Sequence, residues 1–404
     1  MKRYALHTLV CPFTQSTLSL TSFEESPISL SDGDLGRCRQ LGIDTREASS
    51  AVKEGVLYSH ESGRWFPIVN YTPIMLDFPT DMHDDFQQRH SSKTDVFKNY
   101  KMVNGTPREG ELFVQKTFTR QWDLLNIDTI SFGYTPEQRD KFVELEFDWP
   151  PEVLEQGPLN VLEVGCGSGF ETASLERVTK GAVFGFDLNL ALVRKGHLLS
   201  SNAFANTAIC SLFRLPLRAR TFPVVYSNGV LHHTYSTIEA FDAIEKYRAE
   251  DGIICIWVYA REDYVASARQ QLRYLSEWVF RPRIARLPEF WQKLVVKFLA
   301  RRHYQKYKRL GGLSREKWSF KDSEHSVRDT WTALYANRHS FKEVIMWFQD
   351  KGLRYELIDA KAYQERLGIE LIGIGIRGAS EAYFDKIARK RETGVTLGSG
   401  SASL

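Results

Sequence analysis

The chain has little that would staple it covalently or anchor it in a bilayer. Its five cysteines, Cys11, Cys38, Cys166, Cys210 and Cys255, are odd in number and scattered, with no CxxC pair. That leaves no basis for a disulfide framework or a zinc knuckle and suits reduced thiols in a cytosol. No stretch approaches the roughly 20 apolar residues of a membrane span. The start, Met1-Lys2-Arg3-Tyr4, leads into Cys11-Pro12-Phe13 without a long apolar signal segment, so the expected location is the cytoplasm. Neither sign of charge is in surplus: 53 Lys and Arg against 50 Asp and Glu leave +3 over 404 residues. Whole-chain charge therefore identifies no polyanionic partner. Internal repeats are also lacking. What is present is length for two or three folded units and an ordinary apolar fraction, enough to bury a large core.

Composition divides the chain. Residues 1–80 hold short segments separated by Ser, Gly and Pro, with two strands expected between Gly55 and Met75 around the turn Glu61-Ser62-Gly63. Residues 81–150 are polar, then aromatic-rich, as in a linker followed by helices that cover something. From 151 to 260 apolar runs alternate with amphipathic stretches, the signature of βαβ units and a parallel sheet. Strands are expected at 160–164, 183–187, 207–210, 224–227 and 253–259, and helices at 170–179, 190–203 and 238–249. An interruption at 261–337 precedes a return to the core at 338–390, with a helix at 341–349 and strands at 355–359 and 370–376. The fold class is thus α/β, a Rossmann-like seven-stranded core with a small β-rich N-terminal domain and a helical insertion. Residues 391–404, ending Gly-Ser-Gly-Ser-Ala-Ser-Leu, read as a disordered tail.

The chemistry gathers at Val161-Leu162-Glu163-Val164-Gly165-Cys166-Gly167-Ser168-Gly169-Phe170. Glycines at 165, 167 and 169 after an apolar strand let the backbone turn sharply and approach a ligand. Asp187, followed by Leu188, ends the next strand 22 positions after Gly165, where a carboxylate can grip two ribose hydroxyls. The Gly-x-Gly-x-Gly spacing, with Glu163 two residues ahead, departs from the dinucleotide fingerprint and favours S-adenosylmethionine (SAM) over NAD.

These motifs, with Leu231-His232-His233 after the fourth strand, resemble the class I SAM-dependent methyltransferases, specifically the type 11/12-like subgroup. The resemblance implies that Gly165, Cys166, Gly167 and Gly169 face the methionine part of SAM, Asp187 the ribose, and Asn228 with Gly229 the amino-acid end. It places Ser211 and Leu212 at the adenine, where the family usually has an acid in place of Ser211. A hydroxyl accepts that hydrogen bond less strongly, so weaker SAM binding is expected. Pro223 likewise replaces the usual Asp opening strand four. His232 and His233 stand where strand four delivers side chains to the cofactor's edge and suit a general base. Phe118-Thr119-Arg120-Gln121-Trp122 resembles the subgroup's helical lid, with Gln121 and Trp122 as its residues of interest. S-adenosylhomocysteine would be the product.

The N-terminal words Leu9-Val10-Cys11-Pro12, Gly55-Val56-Leu57-Tyr58 and Trp65-Phe66-Pro67-Ile68 resemble the small zinc-ribbon family whose best-known member activates tRNA, rRNA and release-factor methyltransferases as a separate subunit. Metal-binding versions carry two cysteine pairs. Here only Cys11 remains, Thr14 standing where its partner would be, so a metal-free remnant is expected and no metal site is assigned.

The interruption is basic: from Arg261 to Lys317 there are 15 Lys or Arg against 5 Asp or Glu. Its aromatics recur at helical spacing, as in Phe290, Leu294 and Phe298. An amphipathic cap, a site for an anionic substrate or nucleic acid, and a membrane-surface helix are all open readings. Tyr134, Tyr259, Trp331, Tyr335, Arg338 and His339 are candidates for the acceptor pocket. The functional expectation is methylation of an O, N or C nucleophile on a small molecule, anionic or specialised-metabolite acceptors included. Methylation of tRNA or protein with a cis-acting activator domain, and a non-catalytic SAM-binding scaffold, are the alternatives.

Overall fold

A computed structural model of the chain describes residues 1–124, 136–146, 149, 151–154, 157–261, 268–310, 318–359 and 373–394. Its N-terminal unit is an antiparallel sheet in the order β1 (Ser19–Pro27), β2 (Ser50–Ser59), β3 (Arg64–Val69) and β4 (Thr72–Pro73), with helices α1 (Asp32–Leu41) and α2 (Thr45–Ala48) between the first two strands. The β2–β3 hairpin pairs Tyr58 with Trp65. It turns at Gly63, whose φ of +63° is one that L side chains rarely adopt. Cys11 is buried beside this turn, its thiol 3.3 Å from Ser62 Oγ. Among the described residues no group of His, Cys, Asp and Glu side chains is placed to hold a metal ion.

Helices α3 (Asp81–His90) and α4 (Val96–Asn99) cover the N-terminal sheet, Phe86 stacking on Trp65. Helix α5 (Glu111–Asp123) crosses to the second unit, followed by α6 (Pro136–Glu146) and the short α7 (Pro151–Leu154). There β5 (Leu159–Val164), β6 (Lys180–Asp187), β7 (Ala205–Ile209), β8 (Phe222–Asn228) and β9 (Arg248–Tyr259) pair in parallel. With β10 (Arg354–Leu357) and β11 (Gly373–Ala379), both antiparallel to their neighbours, they form a seven-stranded sheet in the order β10-β11-β9-β8-β5-β6-β7. The parallel strands read as nearly unbroken apolar runs because helices cover both faces. Those helices include α8 (Phe170–Thr179), α9 (Ala191–Lys195), α10 (Thr237–Glu245), α14 (Phe341–Asp350) and α15 (Glu381–Gly394). Helix α15 occupies the first residues of the stretch expected as a tail, and 395–404 lie outside the described residues.

One expected helix is much shorter than 190–203: α9 stops at Lys195 and a 3-10 turn follows. The cause is tertiary. Asn70 donates from Nδ2 to the Val193 carbonyl at 2.8 Å, and its own carbonyl lies so close to Gly196 that a Cβ there would overlap it.

The two units share one apolar core that runs from Leu57, Phe66 and Ile68 to Phe184, Phe186 and Phe204. Between β9 and α14 the chain inserts α11 (Ala268–Ala285), α12 (Glu289–Leu310) and α13 (Phe320–Trp331). Val296 and Ala300 of α12 are buried against Val327 of α13. The insertion is closed at its root, where Ala260 pairs with His339.

Candidate functional site

The turn after β5 is built from three left-handed glycines: φ is +87° at Gly165, +57° at Gly167 and +85° at Gly169. A Cβ at Gly165 would overlap Val230, and one at Gly167 would overlap the Trp122 ring, so the turn is pressed between the β8 loop and helix α5. Asp187, at the end of β6, fixes this loop. One carboxylate oxygen accepts from the Gly167 N–H at 2.7 Å and the other from the Asn189 N–H at 2.8 Å, while Asn189 Nδ2 returns a bond to the Gly167 carbonyl at 3.0 Å. Burial raises the Asp187 pKa, and these hydrogen bonds oppose the rise.

In front of the turn opens a cavity of about 1340 Å³, floored by the carboxyl ends of β5, β6, β8 and β9 and roofed by α5 and the inserted helices. That is where an open α/β sheet binds ligands. Of the residues expected at a cofactor, Gly165, Cys166, Asp187, Leu188, Ser211, Leu212, Asn228 and Gly229 line it. At one end Arg139 lies 2.5 Å from Glu171, and Asn228 Nδ2 donates to the same Glu171 oxygen at 3.2 Å. Ser211 is the N-cap of a 3-10 turn, its hydroxyl accepting from Phe213 N at 3.3 Å.

Residues 162–256 match the family described as "Methyltransferase domain", and residues 2–70 match the family described as "Trm112p-like protein". Residues 162–256 form a methyltransferase domain. The methyltransferase unit is similar to several solved structures at low identity. A structure of the Haloferax volcanii Trm112 methyltransferase activator in complex with a methyltransferase is 15% identical, covering 60% of this chain and 93% of that one, with a TM-score of 0.35. Magnesium protoporphyrin IX methyltransferase from Synechocystis is 12% identical over 67% of this chain and 98% of its own, at a TM-score of 0.37. A SAM-dependent methyltransferase from Aquifex aeolicus is 14% identical over 61% and 98%, at 0.32. No curated protein matches the chain in sequence.

The cofactor that a methyltransferase domain implies is S-adenosylmethionine, and the donor set of the cavity fits it. A guanidinium and a carboxylate side by side, Arg139 and Glu171, suit a zwitterionic amino-acid end. The open glycine at 229, where a Cβ would meet nothing closer than 3.8 Å, leaves room beside them. Asp187 retains lone pairs for ribose hydroxyls. Ser211 and Leu212 offer a hydroxyl and an apolar face in the lining of the same cavity.

Other expected site residues of the methyltransferase stand elsewhere. Glu163 is buried behind the turn, accepting from Thr172 Oγ1 at 2.5 Å, and burial with neighbouring Glu171 raises its pKa well above the usual carboxylate range. Gly167 and Gly169 shape the loop without lining the cavity. Gln121 is buried between α5 and α13, 3.2 Å from His325 Nε2 and 3.3 Å from Asp329 Oδ1. The two histidines part company. His232 is fully buried, stacked on the Tyr259 ring with centroids 3.8 Å apart, and burial followed by His233 pushes its pKa well below the ordinary value. His233 alone faces the cavity.

His233 Nδ1 donates to the Tyr335 carbonyl at 2.8 Å, which fixes the tautomer. Its Nε2 is buried without a hydrogen-bond partner, 3.5 Å from Asp329 Oδ2. Asp329 also accepts from the Tyr259 hydroxyl. Burial by itself would raise its pKa, but His233 and the Tyr259 hydroxyl override this and hold it below the carboxylate range. Tyr259, Trp331, Tyr335 and Arg338 line the cavity. Arg338 is committed to the buried Glu277 at 2.7 Å. His339 points away, 2.8 Å from Thr237 Oγ1. Tyr134 lies outside the described residues. The pattern-based reading missed Asp329, Arg139 and Glu171. Asp329 opens the very segment that supplied Trp331 and Tyr335, so a carboxylate next to acceptor-pocket aromatics was the available signal.

Proposed function

We propose that this methyltransferase transfers the methyl group of S-adenosylmethionine to an O, N or C nucleophile of a small molecule bound in the roofed cavity, with His233 taking the proton that the nucleophile carries. The observation that supports it most is His233 on the cavity wall, its Nδ1 bonded to the Tyr335 carbonyl and its buried Nε2 3.5 Å from Asp329 Oδ2. A cavity of about 1340 Å³ exceeds the roughly 300–1,000 Å³ common for one ligand, which leaves space for a cofactor and an acceptor together.

When bound, S-adenosylmethionine supplies an electrophilic methyl carbon on a positively charged sulfur. Arg139, Glu171 and Asn228 would hold its amino-acid end, Asp187 its ribose, and Ser211 with Leu212 its adenine. Phe118 and Trp122 of α5 cover the floor and exclude water, which strengthens each electrostatic contact inside. His233 Nε2 accepts the acceptor's proton, and the imidazolium so formed is stabilised by Asp329. Tyr259 and Gln121, both bonded to Asp329, position that carboxylate.

The test is transfer of a tritiated methyl group from S-adenosylmethionine into a cell extract, fractionated into small molecules, RNA and protein. Label in the small-molecule fraction, reduced about 10²- to 10⁴-fold by His233→Asn with calorimetric SAM affinity kept, supports the reading. Absence of SAM binding by the wild-type chain sinks it. Methylation of tRNA or protein is the second reading, favoured by the Trm112p-like match at residues 2–70, and label confined to RNA or protein would establish it instead.

A further inference from the structure

The helical hairpin α11–α12 is where apolar surface is concentrated. Among the described residues seventeen large apolar side chains are exposed, and nine of them fall between Leu272 and Phe298. Trp278 is 71% exposed, Phe290 64%, Trp291 56% and Phe298 55%. A monomer scatters such residues singly, whereas this density marks a surface that meets something.

Helix α12 has three faces, as its period of about 100° per residue makes plain. Val296 and Ala300 point to α13 and are buried. Leu299, Arg302, His303 and Lys306 line the cavity. Phe290, Trp291, Leu294 and Phe298 fall together on the remaining side and are exposed. This outward face belongs to neither the core nor the cavity.

Its charge identifies the occupant. From Ala268 to Leu310 there are twelve Lys or Arg and two acids, Glu277 and Glu289. Both acids are already engaged, Glu277 with Arg338 at 2.7 Å and Glu289 with Arg120 at 2.6 Å and Lys293 at 2.7 Å. No described helix is long and apolar enough to cross a membrane. Trp, Phe and Leu on one side of a Lys- and Arg-rich helix are the makings of an element that lies in a membrane interface. A second copy of the chain is a poor occupant, since a two-fold contact would set this cationic patch against itself. Single-stranded RNA would stack on Trp278, Phe290 and Trp291 but leave Leu272, Leu275 and Leu294 in water, whereas a bilayer buries both kinds of side chain.

We propose that the outer face of the α11–α12 hairpin docks the protein on an anionic lipid bilayer. Its aromatic and leucine side chains enter the headgroup–acyl boundary while Lys297, Arg301 and their neighbours meet lipid phosphates. Because the cavity lies on the other side of α12, a docked chain keeps it about one helix diameter, roughly 10 Å, from the membrane. The docking rests on surface residues alone and is independent of the methyl-transfer reading.

The experiment is co-sedimentation of the full chain with vesicles of phosphatidylglycerol and phosphatidylcholine in equal parts, against phosphatidylcholine alone. The wild-type chain should bind the anionic vesicles with a blue shift of its tryptophan emission. Binding should fall by about tenfold or more in Phe290→Ser/Trp291→Ser, and comparably in Lys297→Glu/Arg301→Glu. These residues are exposed and outside the cavity, so the melting temperature and far-ultraviolet circular dichroism should match wild type in both variants and report their folding. A wild-type chain left in the supernatant at low salt overturns the proposal, as does vesicle binding that neither variant weakens. A dimer in light scattering that Phe290→Ser/Trp291→Ser dissolves, or single-stranded RNA binding through the same residues, in either case without vesicle binding, overturns it in favour of that partner.

Discussion

Helix α5 closes on the glycine turn through a single ring, which makes the contact between Trp122 and Gly167 measurable. In Gly167→Ala the new Cβ overlaps that ring, and the residue must hold φ +57°. The left-handed conformation costs about 1–2 kcal/mol for a residue with a Cβ, and overpacking typically adds about 1–3 kcal/mol. The ring cannot retreat freely: the Trp122 carbonyl accepts from Lys195 Nζ at 2.5 Å, and the indole packs edge-on to His325 at 5.4 Å between centroids. Together the two costs come to about 2–5 kcal/mol. For a unit of this size that lowers the melting temperature by about 2–4 °C per kcal/mol. With Trp122→Ala already in place the overlap is gone and only the backbone cost remains, so a double-mutant cycle should return a coupling of about 1–3 kcal/mol. Urea unfolding of the four proteins reads it. Strict additivity of the two substitutions would refute the claim that α5 is seated on the turn through this contact.

Ser211→Asp should tighten calorimetric SAM binding by about fivefold, since a charged acceptor is worth roughly 1 kcal/mol more than a hydroxyl and Asp caps the 3-10 turn as well as Ser does. Unchanged or weaker binding would remove Ser211 from the adenine site. Glu163 is raised well above 4.5 by burial and Glu171, so its folded state stays protonated where the unfolded chain has lost the proton, and stability falls as pH rises from about 4.5. Glu163→Gln removes that penalty: melting should show the variant ahead of wild type by a margin that widens with pH above 4.5, and a constant or negative margin contradicts it. His83 is buried and lowered by burial to about 4. The unfolded chain takes up a proton below 6.5 that the folded one refuses, so about 3 kcal/mol of stability is lost between pH 6.5 and about 4. His83→Gln keeps an acceptor for the Thr80 N–H, completing a Thr-x-x-Gln capping box, and should flatten that acid limb; an equally steep limb would refute the assignment.

What was legible in the sequence was what depends on backbone conformation and local period. The parallel strands appear as apolar runs because both sheet faces are covered, and the turn appears as glycines because three successive odd positions require positive φ. What could not be read was which way a side chain faces once the chain turns tightly. His232 and His233 are adjacent in one 3-10 turn, yet one is sealed against Tyr259 and the other opens on the cavity. Asp329 reaches His233 from 96 positions away, through the packing of α13 on α5 and α12, and no pattern in either segment announces the meeting. The shortening of α9 has the same origin, an intrusion by Asn70 from the other end of the chain.

The N-terminal unit illustrates how physical roles can be exchanged. Its resemblance to a metal-binding family rests on words around Cys11, but the side chains that hold it to the methyltransferase core lie elsewhere. Lys2 is buried and donates from Nζ to the Leu199 and Ala205 carbonyls at 2.6 and 2.9 Å. Asn206 Nδ2 donates to Tyr4 at 2.7 Å, and Arg37 pairs with Glu176 at 2.5 Å. Met75 N donates to the Ile209 carbonyl at 2.7 Å, extending the hydrogen bonding of β7 into the N-terminal unit. A small domain with a weak core of its own usually needs a metal or a disulfide. This one shares the core of a larger partner on the same chain, so Leu57, Phe66 and Ile68 are buried by the methyltransferase as well as by their own sheet. Covalent linkage makes that docking intramolecular, with an effective concentration that a separate subunit lacks. The shared core thus supplies folding free energy to a unit in which no group of described side chains is placed to hold a metal ion.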